Sequence, residues 1–472
     1  MKTGKITALV LSLIMAAGAA GCSYAPAETT VEQETMQTSA SASVSESTAA
    51  SAESLPGESG TGSYAEKPAS EVKDSEGGKL VIWSYNNDLK DLLEAYSPVK
   101  NYEYVVISPN DYKYRLDQAL GTGEAPDMFV CDYDNVRTYA DSDRTLSINN
   151  AGIPNKACSD MYDYTLRLAC DSSGNIKGLA WSLSPSAVFY QKSLAQQYLG
   201  SSEPGQVEKS FSNWASFLAA ARKVNKESEG SVKIIAGTEE IFTSYLGQRT
   251  SLWKIDGKLN VDSIAEGYLA VARTISSEKL TAGHASGSDE WKAGMRNKTV
   301  LSYWGPLSLV RTADFALDPA KHAKLNPTSG DWGIVAAPSA FSSGGAWIMM
   351  SSSCDMRRSC ADIITALCCD QGNLRDMLAS GKCDFVNSRT VINAAASDEH
   401  YVYAWLGGQN PYAVLGPAAE KIDVSPVGTD DPEINKVFSR IVNVYAEGGF
   451  KTVSDAKATF RELLIEKKIV KE

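Results

Sequence analysis

The 472-residue chain has only three histidines, His284, His322 and His400, and none has a neighbour that suggests a general base or a metal ligand. Each lies in a polar loop, where a surface position is expected. The nine cysteines include no Cys-x-x-Cys pair and no zinc-ribbon spacing, which argues against a metal site. Gly-x-Ser-x-Gly, His-Glu-x-x-His, the P-loop and Gly-x-Gly-x-x-Gly are all missing. The common nucleophile, zinc-hydrolase and nucleotide-binding signatures are therefore missing with them, and no cofactor is implied. There is no basic block either, and the net charge is -12. That balance argues against nucleic acid or an anionic lipid surface as the main partner. After residue 22 no apolar run approaches the length of a membrane span. A glycoside hydrolase stays open, because any two of the 57 acids could converge as its catalytic pair.

What is present begins with Lys2, Lys5 and an apolar run over residues 6–22 that ends in small residues. A charged start, a run short for a bilayer and a small-residue end read as a secretory signal. Ala19-Ala20-Gly21-Cys22 resembles the lipobox of bacterial lipoproteins, which implies a lipidated Cys22, loss of residues 1–21, and work at the outer face of the cell membrane. An ordinary signal with a chance cysteine is the alternative. Residues 23–78 are Ser, Ala, Thr, Glu and Gly with few large apolar side chains, and hold ten acids against Lys67 and Lys73. Such a segment cannot bury enough surface to offset ordering entropy, so residues 22–78 are expected to form a disordered acidic tether. As a flexible coil it would span roughly 40 Å root mean square. The body from residue 79 onward carries -6.

Lys79–Trp83 is a short apolar run between Gly77-Gly78 and the polar Ser84-Tyr85-Asn86-Asn87, and reads as a buried strand. Asp88 is placed to cap a helix that turns Leu89, Leu92, Leu93 and Tyr96 to one face. Tyr104–Ile107, a helix from Tyr114 to Leu120, and Met128–Val130 follow. Strand, helix, strand, helix, strand in about 50 residues predicts a parallel sheet with crossover helices. Ligands of such sheets sit beyond the carboxyl ends of the strands, which puts Tyr85–Asp88 and Asp132–Asn135 on one rim. Further on, the spacing predicts helices over Phe211–Lys226, led by Ser212, and over Ser263–Ile275.

Lys79–Trp83 with its polar turn, Gly123-Glu-Ala-Pro-Asp-Met-Phe-Val-Cys-Asp132 and Gly178–Tyr190 together resemble the extracellular solute-binding proteins, family 1, of carbohydrate ABC importers. Lys298–Pro306, Gly344–Met350, the helical stretch Ala361–Leu378 and closing helices near Ile434–Glu447 and Ser454–Lys467 keep the family's order. The resemblance implies an α/β fold of the two-lobed periplasmic-binding-protein type (type II), with lobes joined by a multi-crossing hinge. By the family's pattern, residues 79–184 plus 343–390 form lobe one and residues 188–342 plus 391–472 form lobe two. The family usually has a proline near Val386-Asn387, which leaves the third crossing the least defined.

The implied function is a monomeric, lipid-anchored receptor that captures a sugar or oligosaccharide between its lobes and hands it unchanged to ABC permease subunits. A surface adhesin or signalling lipoprotein on the same fold is a further alternative. A sugar offers a C–H face and a rim of hydroxyls, so its site needs flat rings and polar side chains. The rim candidates are Asn87, Asp88, Asp132 and Arg389; the stacking candidates are Tyr85, Tyr133, Trp181, Trp304 and Trp347. Asp88 could equally serve only as a cap, Asp132 as a turn residue, and Trp181 and Trp347 as hinge packing. Trp83, Trp214, Trp253, Trp291, Trp332 and Trp405 read as structural. All eight cysteines after Cys22 fall in the two segments of lobe one. In an export compartment some are expected to pair there, with buried free thiols as the alternative.

Overall fold

The computed structural model describes residues 72–309 and 328–471. The signal, Cys22, the tether up to residue 71 and His322 lie outside the described residues.

Strand β1 (Leu80–Ser84) alternates buried and half-buried side chains, and leads through a polar turn into α1 (Asp88–Tyr96), which buries Leu89, Leu92 and Leu93. Asp88 is the first helical residue rather than the cap: Asn87 holds that position, and the Asn86 Oδ1 accepts the Asp88 N–H at 3.2 Å. Strand β2 (Tyr102–Val106), α2 (Pro109–Ala119) and β3 (Met128–Asp132) follow, with Pro109 at the helix start where its missing N–H costs nothing. Strand β1 pairs in parallel with both β2 and β3, so the crossover pattern expected from the sequence is the one formed. Short helices α3 (Val136–Ala140) and α4 (Asp163–Leu168) precede the long strand β4 (Gly178–Gln191).

The helix expected over Phe211–Lys226 forms as α6 (Trp214–Glu227), and a separate helix, α5 (Pro204–Phe211), precedes it. The break falls at Asn213, whose Oδ1 accepts the Ser216 N–H at 2.9 Å and caps α6 in place of Ser212. Asp262 likewise caps α7 (Ser263–Ser277), and α8 (Asp289–Arg296) leads to β5 (Ser302–Pro306). Strands β6 (Trp332–Val335) and β7 (Phe341–Met350) then return the chain. The remainder is helical: α9 (Arg357–Ile364), α10 (Gln371–Ala379), α11 (Arg389–Ala396), α12 (Tyr412–Glu420), α13 (Asp431–Ala446) and α14 (Val453–Glu466).

The main sheet runs β2-β1-β3-β7-β4-β5, with β6 also on β4. Strands β4 and β7 are long enough to serve two neighbourhoods. The halves nearer β3 pair with each other, and the far half of β4 carries β5 and β6. Between the halves the β4–β7 register slips twice, between Ala180 and Ser182 and between Leu183 and Pro185. Such bulges bend strands, and Gly344 (φ 141°) and Gly345 (φ 139°) accept backbone angles that other residues rarely adopt. A third segment joins them, because Leu183 donates its N–H to the Phe385 carbonyl at 2.9 Å. Three passes of the chain therefore meet at one place.

All eight cysteines of the body are free thiols, seven of them buried. The disulfides expected among them are not formed. These side chains act as small hydrophobic groups.

Candidate functional site

Two cavities open beside the β1–α1 turn. The first, of about 260 Å³, is lined by Tyr85, Pro109, Tyr112, Asp132, Asn135 and Tyr139 among others. It lies at the carboxyl ends of β1 and β3, where the parallel topology predicts a ligand. The second, of about 310 Å³, takes Asp88 and Leu92 from α1, and Trp181, Ser182, Ser184 and Pro185 from the bent part of β4. Pro306, Leu307 and Ser308 close it from the end of β5, and Ala346 and Lys382–Phe385 from the other two passes. Its walls thus come from all three passes of the chain, from α1 and from the end of β5. That volume is at the small end of the range for small-molecule sites.

Four of the residues singled out from the sequence line these spaces. Tyr85 sets its ring edge-on to Tyr112, with centroids 5.4 Å apart. Burial, then the nearby Asp132 carboxylate, pushes the Tyr85 phenol well above its usual value, so it stays a neutral donor. Asp132 uses Oδ1 to accept the Asn135 N–H at 2.9 Å and the Asn135 Nδ2 at 2.8 Å. It is a turn residue and a cavity residue at once. Asp88 faces the second cavity, held by the Asn86 Nδ2 at 2.7 Å, and Trp181 lines the same space while only 3% exposed.

The other five do not line either cavity. Asn87 is exposed on the turn. Tyr133 packs its ring against Trp347 at 6.2 Å, and burial, then Asp134 and Asp431, raises its phenol. Trp347 is fully enclosed and donates its indole N–H to the Thr165 carbonyl at 3.1 Å, so it packs the hinge rather than a ligand. Trp304 is enclosed by Phe211, Trp214 and Phe217, stacking on Trp214 at 5.8 Å; it is core, and no face is left for a sugar. Arg389 donates its Nε–H to both carboxylate oxygens of Glu420 and an Nη1 N–H to the Met161 carbonyl, which ties the start of α11 to its neighbours.

Sequence reasoning passed over Ser182, Ser184, Ser308, Lys382 and Asp384. A signal did exist for two of them. In Trp181-Ser-Leu-Ser-Pro-Ser186 polar residues recur inside an otherwise apolar strand, as a strand that leaves its sheet to face a cleft would require. The loop 382–385 carries no such pattern. His284, expected at the surface, is only half exposed, and its Nδ1 is buried with no hydrogen-bond partner.

Among the described residues no group of three or more His, Cys, Asp or Glu side chains is placed to hold a metal ion. No helix among them is long and apolar enough to cross a membrane.

No curated relative matches the sequence. Solved structures do. An extracellular solute-binding protein of family 1 superposes with a TM-score of 0.69 at 16% identity, covering 83% of this chain and 99% of its own. The sugar-binding protein MalE of Xanthomonas citri gives 0.65 at 14%, covering 83% and 97%. The GacH receptor of Streptomyces glaucescens, solved unliganded and with acarbose, gives 0.62 at 14%, covering 84% and 100%. At such identities the likeness establishes the shared two-lobed α/β fold. A family profile described as bacterial extracellular solute-binding protein matches residues 59–401, and with nearly three quarters of the chain inside that match the protein belongs to the bacterial extracellular solute-binding proteins.

Proposed function

We propose that the chain captures a sugar or short oligosaccharide in the space between its lobes and passes it, unaltered, to the permease of an ABC importer. The observation that carries this reading is the cavity of about 310 Å³ whose walls come from α1, from the end of β5 and from all three crossing segments. A ligand there touches both halves of the sheet, so it favours the state in which they are close. Trp181, Leu307 and Pro185 offer apolar surface for the C–H face of a sugar. Asp88, Ser182, Ser184, Ser308, Lys382 and Asp384 offer donors and acceptors for its hydroxyls. Tyr85 and Asp132, on the other side of the β1–α1 turn, extend the polar and aromatic surface. That receptors of similar fold hold sugars such as acarbose supports the choice of solute class.

The lobes in this reading are residues 79–184 plus 343–390 and residues 188–342 plus 391–472. They turn about the crossings near residues 184–188, 342–345 and 390, beside the β4–β7 register slips. Anchorage through a lipidated Cys22 completes the proposal, with the body working as a monomer outside the cytoplasm. Release to a permease suits an affinity near micromolar, about -8 kcal/mol.

The test is a thermal-shift screen of mono- and oligosaccharides, followed by calorimetry on any hit and chromatography of the recovered sugar. A solute that binds only the folded state raises the melting temperature. The expected result is a hit recovered intact, with affinity weakened at least tenfold in Asp88→Ala or Ser184→Val. Cleavage of the sugar would favour a hydrolase, and a hit unaffected by both substitutions would place the site elsewhere.

A further inference from the structure

Among the eight free thiols, Cys354 and Cys360 stand in sulfur-to-sulfur contact, with Sγ atoms 3.6 Å apart. Cys354 ends the turn that leaves β7, and Cys360 lies in the first turns of α9. Both are buried, 2% and 0% exposed. The surrounding backbone is tied down on each side: Cys354 N–H donates to the Ser351 carbonyl at 3.1 Å, and Cys360 N–H to the Met356 carbonyl at 3.0 Å. Two thiols held this close need only a small adjustment to reach bonding distance.

The same turn is met by residues 74–75. Asp74, expected to lie in the disordered segment, instead crowns the start of α9. Its Oδ1 accepts the N–H groups of Arg358 at 2.8 Å and Ser359 at 3.1 Å, and its Oδ2 accepts the Ser359 hydroxyl at 2.6 Å. Asp74 also bridges to Met356, and Ser75 N–H donates to the Asp355 carbonyl. A carboxylate at these orphan amides is the favoured partner for a helix start. Asp74 therefore holds the segment that enters the body against a turn whose two ends are the paired cysteines.

We propose that Cys354 and Cys360 are a redox modification site, closed to a disulfide when the protein meets an oxidising compartment, and that the bond staples the turn on which residues 74–75 are seated. The family places the chain outside the cytoplasm, where disulfides persist. The step is thiol–disulfide exchange. One cysteine, as thiolate, attacks a disulfide of an oxidised dithiol protein or of oxidised glutathione. Its partner then displaces the mixed disulfide, forming Sγ–Sγ and leaving the oxidant as two thiols. Two protons and two electrons leave the pair, and the oxidant takes them up. Because both sulfurs are buried, the exchange belongs to the folding chain, before α9 closes over them.

The experiment refolds the full chain in a glutathione redox buffer, blocks free thiols, digests without reduction and maps the peptides. Trypsin cuts at Arg357 and Arg358, between the two cysteines, so a bond appears as a cross-linked peptide pair about 2 Da lighter than the sum of its reduced parts. The expected product retains six blockable body thiols, and the cross-link is lost in both Cys354→Ser and Cys360→Ser. Hydrogen exchange at Arg358 and Ser359 should slow about tenfold in the oxidised wild type relative to the reduced protein. Eight blocked body thiols after oxidative refolding would overturn the proposal. So would a bond from Cys354 to Cys368 or Cys369, which share the tryptic peptide of Cys360 and which the Cys360→Ser variant separates from it.

Discussion

The hydroxyl of Thr138, on α3 beside the β3 rim, donates to the carbonyl of Thr429, on the turn that opens α13, at 3.0 Å. The two residues are 291 positions apart and belong to the proposed first and second lobes. A bond across the gap between lobes exists only while they are close, so it stabilises the state in which a solute is held. A hydrogen bond of this kind contributes about 1 kcal/mol net. Thr138→Val, which keeps the shape and removes the donor, should therefore weaken sugar affinity about fivefold by calorimetry. An unchanged affinity would show that closure does not draw on this contact.

Stability should fall as the solution is made alkaline. Burial pushes the Asp431 carboxyl up to about 7, against the Gly428 N–H, Arg249 and Lys254, which hold it down, and with Asp430 adding to the rise. Tyr133 faces it from the β3–α3 turn. Burial likewise pushes Glu240 up to about 8, although the Trp291 indole and the Ala236 N–H donate to it and oppose the shift. A carboxyl raised in the folded state contributes stability that is complete below its unfolded value, near 4, and is lost as pH climbs through the folded value. The melting temperature should thus drop by roughly 5 °C or more between about pH 5 and about pH 9. Glu240→Gln and Asp431→Asn should each flatten that slope. A flat profile in the wild type would mean that neither carboxyl is neutral when folded.

Much of this fold was legible because its signals are local. Leu89, Leu92 and Leu93 mark one face of α1 by spacing alone, and Leu80 to Trp83 mark a strand by their apolar run. The site was harder to read, since a tryptophan before Gly-Pro at the end of a strand looks the same whether its ring faces a cleft or a core. Trp304 faces Phe211, Trp214 and Phe217, and those partners come from α5 and α6, about 90 residues earlier. Arg389 likewise finds Glu420 and Met161 only through tertiary packing. Lys382 and Asp384 reach the cavity because a third pass of the chain lies against Leu183, and nothing in the local sequence announces that pass.

That distinction can be measured at the two tryptophans. Trp304→Ala empties the centre of an aromatic cluster, and such truncations cost about 3 to 5 kcal/mol. Denaturant unfolding should record the loss, while sugar affinity well below the midpoint stays within about twofold of wild type. Trp181→Ala should instead weaken binding by tenfold or more, because its side chain lines the cavity itself. Equal effects of both changes on affinity would return Trp304 to the site.

The third crossing is secured by Asn387, in the region where the family usually has proline. Its Oδ1 accepts the Tyr162 N–H at 3.0 Å, and its Nδ2 donates to the Thr165 hydroxyl at 3.0 Å and the Ala180 carbonyl at 3.3 Å. One buried side chain, 1% exposed, thus ties the returning segment both to α4 and to the start of the bend in β4. Proline would fix the backbone here through its ring; asparagine fixes it through three hydrogen bonds, which only this amide can make together. Asn387→Ala leaves the Tyr162 N–H buried without its partner, and the cost should be about 2 to 4 kcal/mol. Asn387→Asp keeps the acceptor but loses both donors and buries a charge, so it should destabilise the protein at least as much at neutral pH. Chemical denaturation of the two variants decides the matter, and midpoints equal to wild type would mean that the Leu183–Phe385 contact and the bonds of Ser388 and Thr390 to Asp160 hold the crossing without Asn387.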